Sequence, residues 1–293
     1  MSQIKTIIPS ELPTSEMHQY LVTAVAPRPI ALVSTVDEDG NANLAPYSFF
    51  NAFSSNPPIV VFSSNRRVRN NTTKDTLHNV TATRECVINM VSHDIVHQVA
   101  VASCEYPSDV NEFTKSGLTP LTSDVVRAPR VAEAAVQMEC KVRDIISLGE
   151  HGGAGNLVVC EVVRFHVQER VLDERGKIDQ NKIDLMGRMG RIAYVRASGN
   201  ALVNIAQPVE PLGIGFDGLP AHIRNSSVLT GNDLAKMAGK PALPTEAEIA
   251  VAAASDDVKA IKNNVEAIYL LAKSYLHNNE IDRAFALLMT IDL

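Results

Sequence analysis

APRPIALVSTVDEDGNANLAPYSFFNAFSSNPPIVVFSSNRRVRNNTTKDT, residues 26–76, holds two apolar β-type runs, Pro29 to Val36 and Ile59 to Phe62. They flank a turn and a segment crowded with small hydroxyl, amide and aromatic side chains. Asp37-Glu38-Asp39-Gly40 supplies turn chemistry, with Gly40 free to take positive φ, and Asn41 to Pro46 returns as the partner strand. Pro57-Pro58 forbid helix ahead of the buried strand Ile59 to Ser63. Core strands do not need this density of Ser, Asn and Thr. A flat polar ring carrying a phosphate does: hydroxyls and backbone N–H groups hold the ring's heteroatoms, while Arg or Lys and a helix N-terminus hold the phosphate. Residues 70–83 supply such a helix start. Thr72 or Thr73 is the expected N-cap, Asp75 sits in the first turn, and Leu77 and Val80 give an apolar face, so the N-terminus carries Lys74 and Thr76.

Working outward, Ser15 to Ala24 reads as a short helix with Met17, Tyr20 and Leu21 at helical spacing. Cys86 to Val91 is a strand, Ser92 to Ser103 a helix and Ser108 to Lys115 a shorter one. In VQMECKV, Val136, Met138, Cys140 and Val142 share one face and Gln137, Glu139 and Lys141 the other, which is the alternation of a half-buried strand. The glycine-rich loop Gly149 to Gly155 joins it to a long strand, Leu157 to Val167. Strands with helices interspersed irregularly make the chain mainly β with helices, an antiparallel barrel rather than a doubly wound parallel sheet. Beyond about residue 200 prolines punctuate the chain, and Asp256 to Asn278 and Glu280 to Leu288 then read as an αα-hairpin. The organisation expected is a barrel domain over 1–205 and a C-terminal extension over 206–293. The hairpin has the spacing of half a tetratricopeptide repeat, but no second copy is present.

The chain has 293 residues, 45% of them apolar, enough for one or two cores without disulfides. A formal charge of −6 argues against nucleic acid, whose phosphates demand a basic face. Four dispersed cysteines without CxxC read as reduced, buried thiols of a cytoplasmic protein. There is no signal-peptide pattern at the N-terminus and no apolar run near the roughly eighteen residues a membrane span needs, so no membrane partner is expected.

Two motifs tempt and fail. Gly213 to Gly218 matches GxGxxG, but Pro211 stands where a strand should end and Pro220 follows closely. His93-Asp94-Ile95-Val96-His97 resembles HExxH with an Asp one methylene short of the general-base role and without an evident third ligand; surface or packing histidines are the expected reading, and no metal.

Arg28-Pro29-Ile30-Ala31 runs into Ser34-Thr35, then come Ala45-Pro46-Tyr47-Ser48-Phe49-Phe50-Asn51, Pro57-Pro58, Lys74-Asp75-Thr76 and Asn89. Glu112-Phe113, Gly117-Leu118-Thr119, Glu139-Cys140, Gly187-Arg188-Met189-Gly190 and Tyr194 follow. In this order, over about residues 15–200, the series resembles the flavin reductase-like family of FMN-binding split β-barrels, flavoredoxin-type proteins included. The resemblance implies a six-stranded Greek-key split barrel that forms a homodimer with FMN at or near the subunit interface. It implies that the ring lies along Pro46, Tyr47, Ser48, Phe49, Phe50 and Asn51, with Arg28 and Thr35 from the strand before. Ser63, Ser64, Lys74, Asp75 and Thr76 become the phosphate side, Asp75 capping its helix and pointing away, with Arg66 and Arg67 able to reach the phosphate or remain solvated. His151 falls where relatives carry Gly-Asp-His, although Glu150 replaces the Asp and a longer loop follows. His151 and Arg188 are the candidates for a catalytic role, Tyr194 a neighbour at the mouth, and no essential acid is named. The implied activity takes hydride from NADH or NADPH onto flavin and passes electrons to an unidentified acceptor or redox partner protein. The alternative is an FMN-binding electron carrier or sensor without turnover, its helical hairpin gripping a partner.

Overall fold

Residues 31–63 form four consecutive strands of one sheet, β1 (Ala31–Val36), β2 (Ala42–Tyr47), β3 (Phe50–Ser55) and β4 (Pro58–Ser63). The computed structural model describes residues 3–205 and 207–291, which fall into two compact units divided between Val203 and Asn204. The β1–β2 turn closes as its residues dictate: the Asn41 N–H donates to Asp37 Oδ1 at 2.7 Å and Gly40 takes φ +90°. Strand β3, read from sequence as a segment crowded with polar and aromatic side chains and not as a strand, is an edge strand paired with β4 and largely exposed. An edge needs no apolar alternation, which is why its polar residues hid it.

With β5 (Glu85–Met90), β6 (Val136–Ser147) and β7 (Asn156–Val167) the antiparallel sheet has seven strands, ordered β2-β1-β5-β6-β7-β4-β3, one more than expected. Its two edges, β2 and β3, are consecutive in the chain. Tyr47 to Phe50 is three Cα steps, about 11 Å at full stretch. The sheet has therefore curled until its edges nearly meet, a barrel split at Ser48-Phe49. Val33, Phe62, Ile88, Cys140 and Val158 fill the interior.

Helix α1 (Thr14–Ala24) precedes the barrel, and α2 (Asp75–Thr83) adds Leu77 and Val80 to the barrel core. Lys74, not Thr72 or Thr73, occupies the N-cap position of α2, and without a side-chain capping bond. The threonines belong to the preceding loop, where Arg67 donates to Thr72 Oγ1 at 3.1 Å and to the Thr73 carbonyl at 2.6 Å. The stretch expected as one helix over 92–103 is a 3-10 turn, His93–Ile95, followed by α3 (Val96–Ala102).

The alternation of VQMECKV misleads on one point. Gln137 and Glu139 are buried, because residues 124–134 cover the outer face of β6. Gln137 donates to the carbonyls of Val131 and Ala134, while Glu139 accepts from the N–H groups of Asp124, Val125 and Val126 and pairs with His166 at 2.7 Å. A covered polar face survives when every group finds a partner. Strands β8 (Leu185–Arg188) and β9 (Tyr194–Ala197) form a hairpin that pairs with Arg28–Pro29, setting Arg188 opposite Arg28.

The second unit is helical, with α4 (Gly231–Ala238), α5 (Glu246–Ala254), α6 (Val265–His277) and α7 (Ile281–Leu288); α4, α6 and α7 build a separate core that includes Met237, Leu276 and Phe285. The helix expected from Asp256 is interrupted. Asp256–Lys259 is a single turn, and α6 restarts where Asn264 Oδ1 accepts the Ala267 N–H at 3.0 Å. In the GxGxxG segment the N–H groups of Ile214 and Gly215 bond to the carbonyls of Lys240 and Ala238, so no strand leads into it. Among the described residues no helix is long and apolar enough to cross a membrane.

Candidate functional site

The split in the barrel opens on a cavity of about 400 Å³. Pro46, Tyr47, Ser48 and Phe49 form its seam, and Ser63, at the end of β4, and Lys74, before α2, also line it. Arg28 and Arg188 border it from the paired strand and hairpin. The sequence reading did not single out the rest of the lining: His18, Gln19 and Val22 of α1, Asn65, Met189 and Arg191. Helix α1 presents these because Val22, not Met17 or Leu21, is its buried residue. Among the described residues, four cationic side chains line the cavity and no carboxylate does.

Those cations are not equivalent. Arg28 is buried, and its guanidinium donates to the carbonyls of Val22 (2.5 Å), Val25 (2.8 Å) and Met189 (3.1 Å). It joins the end of α1 to the β8–β9 turn, so its first task is positional. Burial, and then the charge of Arg188, lower its pKa, though a guanidinium stays protonated. Arg188 donates to the Arg191 carbonyl at 2.6 Å and lies 4.5 Å over the Tyr194 ring. Lys74 has no acidic partner among the described ion pairs; its Nζ stands 4.9 Å over the Tyr47 ring. Burial, and then the Arg67 charge, lower the Lys74 pKa.

Beneath the seam lie hydroxyls without partners. Tyr47 Oη and Ser64 Oγ are buried and, among the described residues, neither makes a hydrogen bond of good geometry, although the Ser64 and Thr76 hydroxyls stand near the phenol. Burial pushes the Tyr47 phenol up to about 12, against the smaller downward pull of the Thr76 and Ser64 hydroxyls. Thr76 is engaged elsewhere, accepting from Asn43 Nδ2 at 2.9 Å. Thr35, expected at the cofactor, is fully buried and accepts from Asn79 at 3.0 Å. It belongs to a polar tie between β1, β2 and α2 and does not line the cavity.

Other expected residues fall around rather than in the cavity. Phe50 packs on the barrel core, and Asn51 is exposed with its Oδ1 accepting the Ala52 N–H. The Ser63 hydroxyl donates to Asn65 Oδ1 at 2.7 Å. Arg66 lines a second cavity of about 420 Å³ that shares His18, Phe49, Asn65 and Lys74 with the first, and its guanidinium holds Asn71 at 2.7 and 2.8 Å. Asp75 and Thr76 border a recess of about 40 Å³ that also includes Lys74. His151 lines none of these cavities. Its loop is pinned by Gly152, where a Cβ would come within 2.9 Å of the Val68 carbonyl oxygen. Cys104, expected buried, is exposed; Cys86, Cys140 and Cys160 are buried free thiols.

A curled antiparallel sheet, split where consecutive edge strands meet and opening there on a cationic cleft, defines the split-barrel class. Residues 24–182 match the family described as "Flavin reductase like domain". The chain belongs to that flavin reductase-like family. An uncharacterised protein of Aquifex aeolicus (strain VF5) is 38% identical over 189 residues, 64% of this chain and 94% of the relative. The crystal structure of nitrilotriacetate monooxygenase component B from Bacillus cereus superposes with TM-score 0.64 at 30% identity, covering 69% of this chain and all of that one. Pseudomonas fluorescens 2-nitrobenzoate 2-nitroreductase NbaA gives TM-score 0.61 at 27% identity, with 69% and 96% covered. These proteins are matched nearly end to end, while about a third of this chain lies outside each match.

Proposed function

We propose that this chain is an FMN-binding oxidoreductase that takes electrons from NADH or NADPH and delivers them to a separate acceptor. The observation that carries this reading is a cavity lined by four cations and no carboxylate, set beside two buried hydroxyls without partners. Such a site suits a ligand with an anionic tail and ring heteroatoms able to use those hydroxyls. Its volume lies within the range of cofactor pockets. A bound flavin would supply the hydride chemistry.

The chain's own residues would bind and orient. Lys74, raised over the Tyr47 ring at the start of α2, is the residue for the phosphate, aided by first-turn N–H groups that lack intrahelical partners. Pro46, Ser48 and Phe49 would form the bed for the ring, with His18 and Arg188 at the mouth. Tyr47 would keep its proton well above neutral pH and could act as a donor. No carboxylate lines the cavity among the described residues, in keeping with a reaction that asks the protein mainly for position and access.

A homodimer completes the proposal. The edge strand β3 is exposed, Phe53 and Phe165 project from this sheet into solvent, 68% and 56% exposed, and Leu148, just past the end of β6, is 61% exposed. An unpaired edge with exposed aromatics suits a second copy. The test is spectroscopic. The protein reconstituted with FMN should show bound-flavin absorbance, and anaerobic NADH or NADPH should bleach it within the time of turnover. Bleaching by dithionite alone would replace the reductase with a carrier; no bound flavin at all would end the reading.

A further inference from the structure

We propose that the second unit is a docking module whose groove between α5 and α7 takes a basic amphipathic helix from a partner protein. Helix α5 carries the argument. A complete capping box fixes its start, with Thr245 and Glu248 exchanging backbone and side-chain hydrogen bonds. Its sequence, EAEIAVAAA, is apolar, yet none of its nine residues is buried, and Val251 is 74% exposed. A helix this short is marginal in water without tertiary cover, since isolated helices need about 12–15 residues. Between it and the hairpin lies a cavity of about 410 Å³ whose apolar lining includes Val251, Ala252, Val258, Ala286 and Leu287. The interface between α5 and α7 is under-filled.

The chemistry of the groove selects its occupant. A small-molecule site keeps a few polar groups free to orient its ligand. Here the polar neighbours are engaged: the Tyr275 hydroxyl bonds Asp257, Arg283 pairs with Asp257 (2.9 Å) and Glu280 (3.1 Å), and Asp282 pairs with Lys240 (2.5 Å). What remains is an apolar trough whose rim carries a net negative charge. The wall segments 246–259 and 280–288 hold six acids (Glu246, Glu248, Asp256, Asp257, Glu280, Asp282) against two bases, Lys259 and Arg283. Counting Lys240 with them still leaves a net −3. A second copy of the same groove would be repelled by this charge, whereas a helix with apolar anchors at i, i+3 or i+4 and i+7 and lysines beside them would meet it on both counts.

The test uses the full chain and two labelled synthetic helices of about eighteen residues, long enough to hold helix. They share leucines at the anchor spacing and differ in carrying Lys or Glu elsewhere. Fluorescence anisotropy should show saturable binding of the Lys peptide, at least tenfold weaker binding of the Glu peptide, and loss of most Lys-peptide affinity between low and high salt. Val251→Lys, at an exposed position, should weaken the Lys peptide at least tenfold with an unchanged circular dichroism melt. Ala252→Met, which fills the trough without adding charge, should weaken it as well. Equal affinity for both peptides, binding indifferent to both variants, or no peptide binding would each overturn the proposal. So would an assembly that Val251→Lys dissociates in the absence of peptide, which would make a second copy the occupant. Flavin absorbance is read in the same samples, so failure here is separable from failure of the oxidoreductase reading.

Discussion

Two of the places where the first unit buries polar side chains treat them in opposite ways. On the outer face of β5 and β6, Asn89 donates to the Leu32 carbonyl and accepts from the Val131 N–H. Gln137 makes two donations and accepts one from Arg130, and Glu139 is held by three N–H groups and His166. At the seam, two hydroxyls have no well-formed partner and Lys74 makes no ion pair among the described residues. Leaving a buried polar group unpaired costs about 1–3 kcal/mol, so the closed network belongs to the scaffold, while the open hydroxyls beside the cavity are the ones a ligand there would complete; Ser92 Oγ, also buried without a partner, does not line it. On the proposed function, the difference would separate stability residues from binding residues.

The largest effect should come from the closed region. Glu139→Ala leaves three buried N–H groups without acceptors and should lower unfolding free energy by about 3–5 kcal/mol. Flavin affinity of the remaining folded protein should be unchanged. Urea titration with a parallel flavin titration checks both; a stable variant that loses flavin would reverse the assignment of the two regions.

The same carboxylate gives a pH signature. Burial alone would raise the Glu139 pKa, but the hydrogen bonds from Asp124, His166, Val125 and Val126 outweigh it and hold it below the ordinary range. A depressed folded pKa contributes stability above the unfolded value, about 4.3, and that stability is lost as pH falls through the folded value. Stability measured from pH 6 downward should therefore decline more steeply in the native protein than in Glu139→Ala. Parallel declines would show that Glu139 does not carry the acid sensitivity.

Lys74→Met probes the open region. It removes a cation with no acidic partner, so the flavin-free protein should melt at the same temperature or slightly higher. FMN affinity should fall at least tenfold, about 1.4 kcal/mol. Riboflavin, which lacks the phosphate, should be nearly indifferent to the change. Equal losses for both ligands would move Lys74 from the phosphate to the ring.

What the sequence disclosed follows from how local each signal is. Hairpin β1–β2, strand β4 and the apolar halves of β6 and β7 are written in alternation and turn residues that neighbours a few positions away can read. Strand β3 was hidden because an edge is permitted polar residues on both faces. Gln137 and Glu139 were assigned to solvent because residues 124–134, distant in register, cover them. At the site, Pro46 to Phe49, Lys74 and Arg188 were legible as a series of motifs. His18, Gln19 and Asn65 were not: a histidine on a short amphipathic helix carries no signal until the helix is placed over the seam. Thr35 illustrates the converse, a hydroxyl in the right motif that the fold uses to tie β1 to α2.

The smallest effect is the most discriminating, because it changes sign. Ser64 Oγ is buried without a partner, so Ser64→Ala removes an unsatisfied group and should leave the flavin-free protein as stable as before or about 1 kcal/mol more stable. If that hydroxyl awaits the ligand, the variant should lose a hydrogen bond in the complex, and FMN affinity should fall severalfold while the unliganded melt holds or rises. Thr35→Val, in the closed network behind it, should do the reverse: it strands Asn79 and costs stability of about 1–2 kcal/mol, with little change in affinity per folded molecule. Melting curves with and without FMN for the two variants test the opposition directly. Were both to move stability and affinity together, the seam and the network behind it would be one structure, and the partition drawn from their hydrogen bonds would fail.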